Sequence, residues 1–264
     1  DENEWDFADI NGRRYGIHTA CLEEKCVALE NIAAIAGTMG AVFAPFCQDC
    51  LFTLAVPLLE FDLHDGVECA AADLVSACIK SMAAANPTTA QQAAVQCLGK
   101  LIETAKSKYS PEYTTSAIDA IAVILADDRL TVGGGVVGEL LERVEAIGRF
   151  AVKRAISSSS SSSKDQMDEE DDDDMQADDA EVVYAIARLY ATACKRHHAT
   201  NQPQLMSILR FAMEQLDVKR RRGTPLVHAG LCMMVDAVQW MPQQVAQQGC
   251  PVSGVLSACL SHQD

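Results

Sequence analysis

The stretch LEEKCVALENIAAIA, residues 22–36, decides the fold class of this chain. Its apolar residues recur three and four positions apart, as they do on one face of an amphipathic helix. They are Leu22, Cys26, Leu29, Ile32, Ala33 and Ile35. Most of the charged residues fall outside this face, and no alternating strand pattern of useful length occurs elsewhere in the chain. The sequence therefore predicts an all-α protein.

Outward from this stretch, the same helical pattern continues between turn signals. Pro45 falls in the first turn of the next helix, where proline is tolerated. The predicted helices cover residues 42–59, 67–83, 89–105, 111–125, 136–156, 181–196, 203–216, 224–240 and 242–260. Together with residues 22–36, these helices form consecutive pairs.

The helix pairs recur at a nearly constant spacing. First helices begin near residues 23, 67, 112, 181 and 224, and the one long interval, 69 residues, contains a low-complexity insert of 24 residues. Without the insert the interval is 45 residues, within the range of about 40–47 that is typical of HEAT and armadillo repeats. The sequence therefore predicts a HEAT-repeat superhelical solenoid of antiparallel helix pairs, whose concave face suits large partners rather than small substrates.

Composition supports this organisation. The chain has 264 residues, of which 49% are hydrophobic but only 5% aromatic, so the core is built from small and aliphatic side chains. The predicted plan is an acidic lead-in at 1–20, three helix pairs at 21–156, a disordered Ser-rich and acidic insert at 157–180, and two helix pairs at 181–264. The start at Asp1 without Met indicates a fragment of a longer protein. No long uninterrupted apolar run or signal peptide is found, so we expect no membrane partner.

The negative charge is concentrated in two segments. Eleven acids lie between Asp165 and Glu181, and five more lie in the first nine residues, which together account for the net charge of −16. Such a block either remains a solvated loop or forms an electrostatic surface for a basic partner. Direct binding of DNA or RNA is not expected, because phosphates require a basic surface.

The cysteines and the enzyme motifs give little support for catalysis. Cys47 and Cys50 form a Cys-x-x-Cys pair, but no second pair completes a zinc ribbon and no strand precedes the motif. A redox pair stays an alternative, with a lowered thiol pKa as its signature. No phosphate loop, nucleophile elbow or zinc-protease helix occurs. We therefore expect a protein that is not an enzyme, with no cofactor and no metal.

Several segments resemble the β-karyopherins of the importin five type, members of the importin β superfamily. The resemblance is close over residues 5–72, thinner but in register to residue 240, and weak beyond. The segments that carry it are Trp5–Phe7, Gly16–Ala20, Leu22–Lys25, Val56–Phe61, His64–Val67, Ala70–Ala72 and Gly230–Cys232 with Asp236. The acidic insert also occurs at the corresponding place in those proteins.

The resemblance implies a segment of a nuclear import receptor. Its partners would be basic cargo proteins such as ribosomal proteins and histones, the Ran GTPase, and phenylalanine-glycine nucleoporins, and it would shuttle between cytoplasm and nucleus. The alternative is a HEAT-repeat scaffold of a stable protein complex without a transport role.

Acidic side chains are the candidate contacts with basic cargo. One group lies in the insert, and another lies on the second helices of the pairs, which would line the concave side. The candidates are Asp168, Glu169, Glu170, Asp171, Asp172, Asp173, Asp174, Glu103, Glu139, Glu142 and Glu145.

Overall fold

The structure, a computed structural model, describes residues 5–10, 13–107, 109–161, 169–215 and 225–247. The chain divides into two compact units, Asp1–Thr104 and Ala105–Asp264.

Unit 1 begins with a β-hairpin. Strand β1 (Trp5–Ile10) pairs antiparallel with β2 (Arg13–His18), and Trp5 lies opposite His18. The prediction that the chain has no useful strand is therefore wrong at this end. A lone hairpin depends on pairing between its own two strands, whereas the alternation searched for in the sequence is the mark of a strand with one buried face.

The helices of unit 1 are α1 (Thr19–Met39), α2 (Ala44–Asp49), α3 (Val56–Leu58), α4 (Asp65–Ala85) and α5 (Pro87–Ser107). A 3₁₀ turn at Gly40–Phe43 joins α1 to α2, and a π-helical segment at Cys50–Ala55 joins α2 to α3. Helix α1 runs through Gly37, the predicted start of the break, and the chain turns at Gly40, whose φ of 52° lies in the left-handed region that favours glycine. The first-turn position of Pro45 is confirmed.

Helix α4 forms the centre of unit 1. It packs against α1, α2 and the π-helical segment, and most of its apolar residues are buried. On α1 the buried residues Leu22, Leu29 and Ala36 lie seven positions apart. Ile35, which the sequence places on the buried face, is 48% exposed. That prediction is wrong, because packing along α4 buries only a narrow stripe of α1.

The segment Thr19–Leu58 is long and apolar enough to cross a membrane, judged by length and composition alone. In this structure it is interrupted at Gly40 and packs on α4 through buried residues such as Leu29 and Leu51. A core helix can meet the same criterion. The expectation that the chain has no membrane partner stays a prediction.

The helices of unit 2 are α6 (Pro111–Ala126), α7 (Gly134–Ser161), α8 (Glu169–His197), α9 (Gln202–Gln215), α10 (Pro225–Trp240) and α11 (Pro242–Gln247). Helix α6 starts at its predicted proline, where the Ser110 side chain accepts a hydrogen bond from the Tyr113 backbone N–H. The predicted disordered insert differs from the structure at both margins, since α7 continues to Ser161 and α8 begins at Glu169. Residues 162–168, and the predicted end of the last helix beyond residue 247, lie outside the described residues.

Helix α8 is central in unit 2, where it packs against α6, α7 and α10, while α9 packs against α7 and α10. Bonded residue pairs between α6 and α8 are separated by 68–70 positions, which becomes about 45 when the 24-residue insert is removed. In unit 1 the hydrogen bond from Ser81 to Ala36 spans 45 positions. Equivalent positions of successive helix pairs thus contact one another, as the repeat spacing predicts.

Candidate functional site

Three of the candidate acids, Glu139, Glu142 and Glu145, lie on α7, and exposed residues of both charges surround them. Glu139 and Glu142 are exposed, and Glu142 accepts a hydrogen bond of 3.2 Å from the Gln204 side chain of α9. Arg143, on the same helix, is also exposed. A partner that contacts this face therefore meets charges of both signs.

Glu145 forms an ion pair within the protein. The guanidinium of Arg149 donates to Glu145 at 2.9 Å and to Glu214 of α9 at 2.9 Å, and it lies over the Phe211 ring at 5.2 Å. The carboxylate side chain of Glu145 is only 16% exposed. This arrangement ties α7 to α9, so Glu145 contributes less to an open surface than Glu139 and Glu142 do.

The other candidate acids belong to other helices. Glu103 is exposed on α5 in unit 1. Glu169, Glu170 and Asp171–Asp174 lie in the first turns of α8, and Asp168 lies outside the described residues. Their role as cargo contacts stays a prediction.

A buried carboxylate at the end of the acidic block is the feature that sequence reasoning missed. Asp179 is 1% exposed, although it belongs to a run of acids that the sequence assigns to a solvated segment. It accepts a hydrogen bond of 2.6 Å from the Tyr109 hydroxyl and lies 3.3 Å from Nε of Arg154. Its position next to Ala180, three residues before Val182, was the only available signal.

These three residues connect the segment before α6 with α7 and α8. Tyr109 precedes α6, Arg154 lies near the end of α7, and Asp179 lies on α8 where the acidic block ends. Arg154 lies over the Tyr109 ring at 5.1 Å, and Phe150 packs edge-on against the same ring. Burial, followed by the hydrogen bond to Asp179, raises the pKa of Tyr109 well above its usual range. The Tyr109 hydroxyl thus stays protonated. The cluster of Tyr109, Arg154 and Asp179 fixes the C-terminal end of the acidic block.

Two exposed ion pairs continue along α8. Arg188 makes a two-pronged contact with Asp119 of α6 at 2.8 and 2.7 Å. Arg196 pairs with Asp128 and donates to the Ala126 carbonyl at 2.9 Å. With the Tyr109–Asp179 bond, these contacts fix the register of the parallel helices α6 and α8.

An open cavity of about 280 Å³ lies beside this cluster. Its walls come from the start of α6 and from α8, and they carry three carboxylates. The lining residues are Pro111, Glu112, Thr115, Ser116, Asp178 and Glu181. It is open to solvent, so it does not provide the enclosure that cofactor sites usually have.

The described residues contain no group of three His, Cys, Asp or Glu side chains arranged to hold a metal ion. The candidate sites in that part of the chain are therefore surfaces and ion-pair clusters. Among them, the exposed face of α7 is the best candidate for contact with a protein partner.

Comparison with known proteins finds curated relatives and a set of solved structures that are similar to this chain. The chain is 30% identical over 138 residues to importin subunit beta-3 of Saccharomyces cerevisiae, a match that covers 48% of this chain and 13% of that protein. No protein-family model matches the chain.

The fold is similar over almost the whole chain to crystal structures of Kap121p. The structure of Kap121p alone gives a TM-score of 0.80 at 22% identity, covering 99% of this chain and 24% of Kap121p. Kap121p bound to Pho4p gives 0.78, and the karyopherin Kap121p bound to the SUMO protease Ulp1p gives 0.80, both at 22% identity and with the same coverage. The likeness shows that the predicted all-α HEAT-repeat fold is correct, and the chain spans about a quarter of these structures.

Proposed function

We propose that this chain is part of a nuclear transport receptor. The sequence match and the fold match support this proposal, because both indicate a fragment of an importin-β (karyopherin) protein. Its proposed action is reversible binding of cargo proteins by the faces of stacked helix pairs. The narrower assignment to the importin five type belongs to the proposal.

The observation that carries this proposal is the fold match over 99% of the chain to Kap121p in complexes with other proteins. Those complexes include Pho4p, Ste12p and Ulp1p, and a further one holds Nup53p. By analogy, we propose cargo proteins and phenylalanine-glycine nucleoporins as partners of this chain, with shuttling between cytoplasm and nucleus. The matched proteins are karyopherins, which agrees with the expectation of a protein that is not an enzyme.

We further propose that the cargo is basic and that Ran in its GTP state releases it. Exposed Glu139 and Glu142 on α7 would attract Lys- and Arg-rich segments, and the acidic block that begins at Asp168 would raise their local concentration. Ribosomal proteins and histones are cargo of this class. Exposed Arg143 beside these acids would favour segments with interspersed charges over uniformly basic ones.

The experiment is binding of a fluorescent Lys- and Arg-rich peptide to the full chain, measured by anisotropy at low and high salt. We expect binding that weakens strongly as salt rises, because screening acts on exposed charges. Replacing Glu139 and Glu142 by Gln should weaken binding several-fold, and a second variant with Gln or Asn at positions 169–174 should mainly reduce the association rate.

A matched control replaces Glu23 and Glu24 by Gln, because both are exposed on α1, a first helix. Binding that is insensitive to salt, or lost equally in the control, would contradict the proposed acidic surface. A partner that stays bound regardless of Ran would instead support the scaffold alternative.

A further inference from the structure

A cysteine of α1 and a histidine at the start of α4 meet in unit 1. The Cys26 sulfur lies 3.8 Å from Nδ1 of His64, a distance at which sulfur still forms a hydrogen bond. Helix α1 packs against α4, which brings the two side chains together although they are 38 positions apart in the sequence. Both residues are half-buried, so the pair keeps access to solvent.

The start of α4 holds the imidazole against the sulfur. His64 is the N-cap residue of α4, and its carbonyl accepts a hydrogen bond of 3.1 Å from the Val67 backbone N–H. Gly66 lies next to both side chains. A Cβ atom at Gly66 would be 2.9 Å from Cε1 of His64 and 3.4 Å from the Cys26 sulfur. The missing side chain at Gly66 therefore leaves the space in which the imidazole reaches Cys26.

Acidic residues predominate around the pair. Glu23 and Glu30 are exposed, three residues before and four residues after Cys26 on the same side of α1. The ammonium group of Lys25 lies 4.8 Å from the centre of the Phe61 ring. Negative charge opposes ionisation of a thiol and attracts cations. Further acids in the first turn of α4 are Asp65 and Glu68.

We propose that Cys26 and His64 form a nucleophilic thiol site that is modified by low-molecular-weight disulfides, with positively charged disulfides preferred. The adjacent imidazole supplies the base that the thiol needs in acidic surroundings, and the exposed carboxylates favour the cationic reagent. This site is independent of the proposed transport function.

The reaction is a thiol–disulfide exchange. The Cys26 thiol gives its proton to Nδ1 of His64, and its sulfur attacks one sulfur of the reagent. A new S–S bond forms to Cys26 while the S–S bond of the reagent breaks. The departing thiolate takes up the proton that His64 holds and leaves as a thiol. Cys26 is oxidised as the reagent is reduced, so no other oxidant is consumed, and an excess of thiol reverses the change.

The test is a time course with cystamine, a cationic disulfide, on the reduced full chain. Acid stops the exchange, N-ethylmaleimide blocks the remaining thiols, and peptide mass mapping locates the mixed disulfides. Cleavage after Glu and Lys places Cys21 in 5–23 and Cys26 in 26–30. Cys21 is the internal control, because it lies on the same helix and is the more exposed of the two. We expect Cys26 to react roughly tenfold faster than Cys21 at neutral pH.

Two substitutions test the part played by His64. His64→Gln should slow the reaction of Cys26 roughly tenfold at neutral pH, and the rate should recover towards about pH 8.5, where an unassisted thiol ionises. Gly66→Ala keeps both reacting groups but displaces the imidazole, so it should slow Cys26 as well. Gly37→Ala, on α1 with nothing within 4 Å of its Cβ position, should behave as the wild type. Far-ultraviolet circular dichroism checks that each variant keeps its helices.

A second reagent tests the charge preference. Oxidised glutathione, which is negatively charged, should react with Cys26 more slowly than cystamine does, and the difference should shrink at high salt. Equal rates at Cys21 and Cys26 in the wild type, or an unchanged Cys26 rate in both His64→Gln and Gly66→Ala, would overturn the proposed site. A faster reaction with oxidised glutathione would overturn the preference for cations.

Discussion

Asp179, at the end of the acidic run, is a buried residue that holds three elements together. Its carboxylate is buried and accepts from the Tyr109 hydroxyl, with Arg154 3.3 Å away. Removing one partner of such a group leaves the others buried without compensation, which costs more than the bond itself contributes.

We therefore expect Asp179→Ala to lower the free energy of unfolding by about 2–4 kcal/mol. Asp119→Ala is the matched control, because it breaks the Arg188 pair on the same helix interface at 37–49% exposure. Solvent screening limits its cost to at most about 1 kcal/mol. Urea unfolding followed by circular dichroism measures both values, and equal losses would contradict the anchoring role of Asp179.

His197, at the end of α8, gives the stability of unit 2 a dependence on pH. Its Nε2 atom is buried without a hydrogen-bond partner among the described residues. Burial, aided by neighbouring Arg196, lowers the pKa of His197 below its unfolded value. Protons then bind more tightly to the unfolded chain, so stability is lost as pH falls below about 6.5.

His197→Gln should remove this part of the acid destabilisation. We expect the variant to lose less stability than the wild type between pH 7 and pH 5 in urea unfolding, while His228→Gln, exposed on α10, follows the wild type. A wild-type pH dependence in His197→Gln would show that His197 does not contribute.

At the scale of elements, α7 lies close to α8 and α9 at Gly148. A Cβ atom there would lie 2.8 Å from Ile186 Cδ1 of α8 and 3.1 Å from the Phe211 ring of α9. Gly99 of α5 is also within a helix, but nothing lies within 4 Å of its Cβ position.

Gly148→Val should lower stability by about 1–3 kcal/mol, because the added atoms overpack the junction of three helices. Gly99→Val should leave stability nearly unchanged, because the difference in helix propensity between valine and glycine is small compared with the cost of overpacking. Thermal unfolding of the two variants compares them directly, and a similar change in both would mean that α7 can move away from its neighbours.

The helices were largely predictable from the sequence, but the burial of individual side chains was not. Apolar spacing and proline positions place α4, α6 and α10 within two residues of their observed starts, because both signals are local. The burial of Asp179 and the exposure of Ile35 depend on which neighbour packs against each face. The start of α8 at Glu169 also differs from the charge pattern, which predicts a disordered insert at 157–180.

At the scale of the whole molecule, the sequence comparison and the fold comparison agree. Nearly half of the chain matches importin subunit beta-3 in sequence, and 99% of it matches Kap121p in fold. The charge distribution complements this, since the net charge of −16 is concentrated in two segments and leaves the repeats neutral. This charge distribution agrees with the proposed salt-dependent binding of basic proteins.

The most direct test of the central claim is a pulldown from nuclear and cytosolic extract with the longest natural form of this chain, with and without GTP-locked Ran. The transport-receptor account predicts that basic proteins such as ribosomal proteins or histones bind and that Ran releases them. A fixed partner that remains bound in the presence of Ran would contradict it.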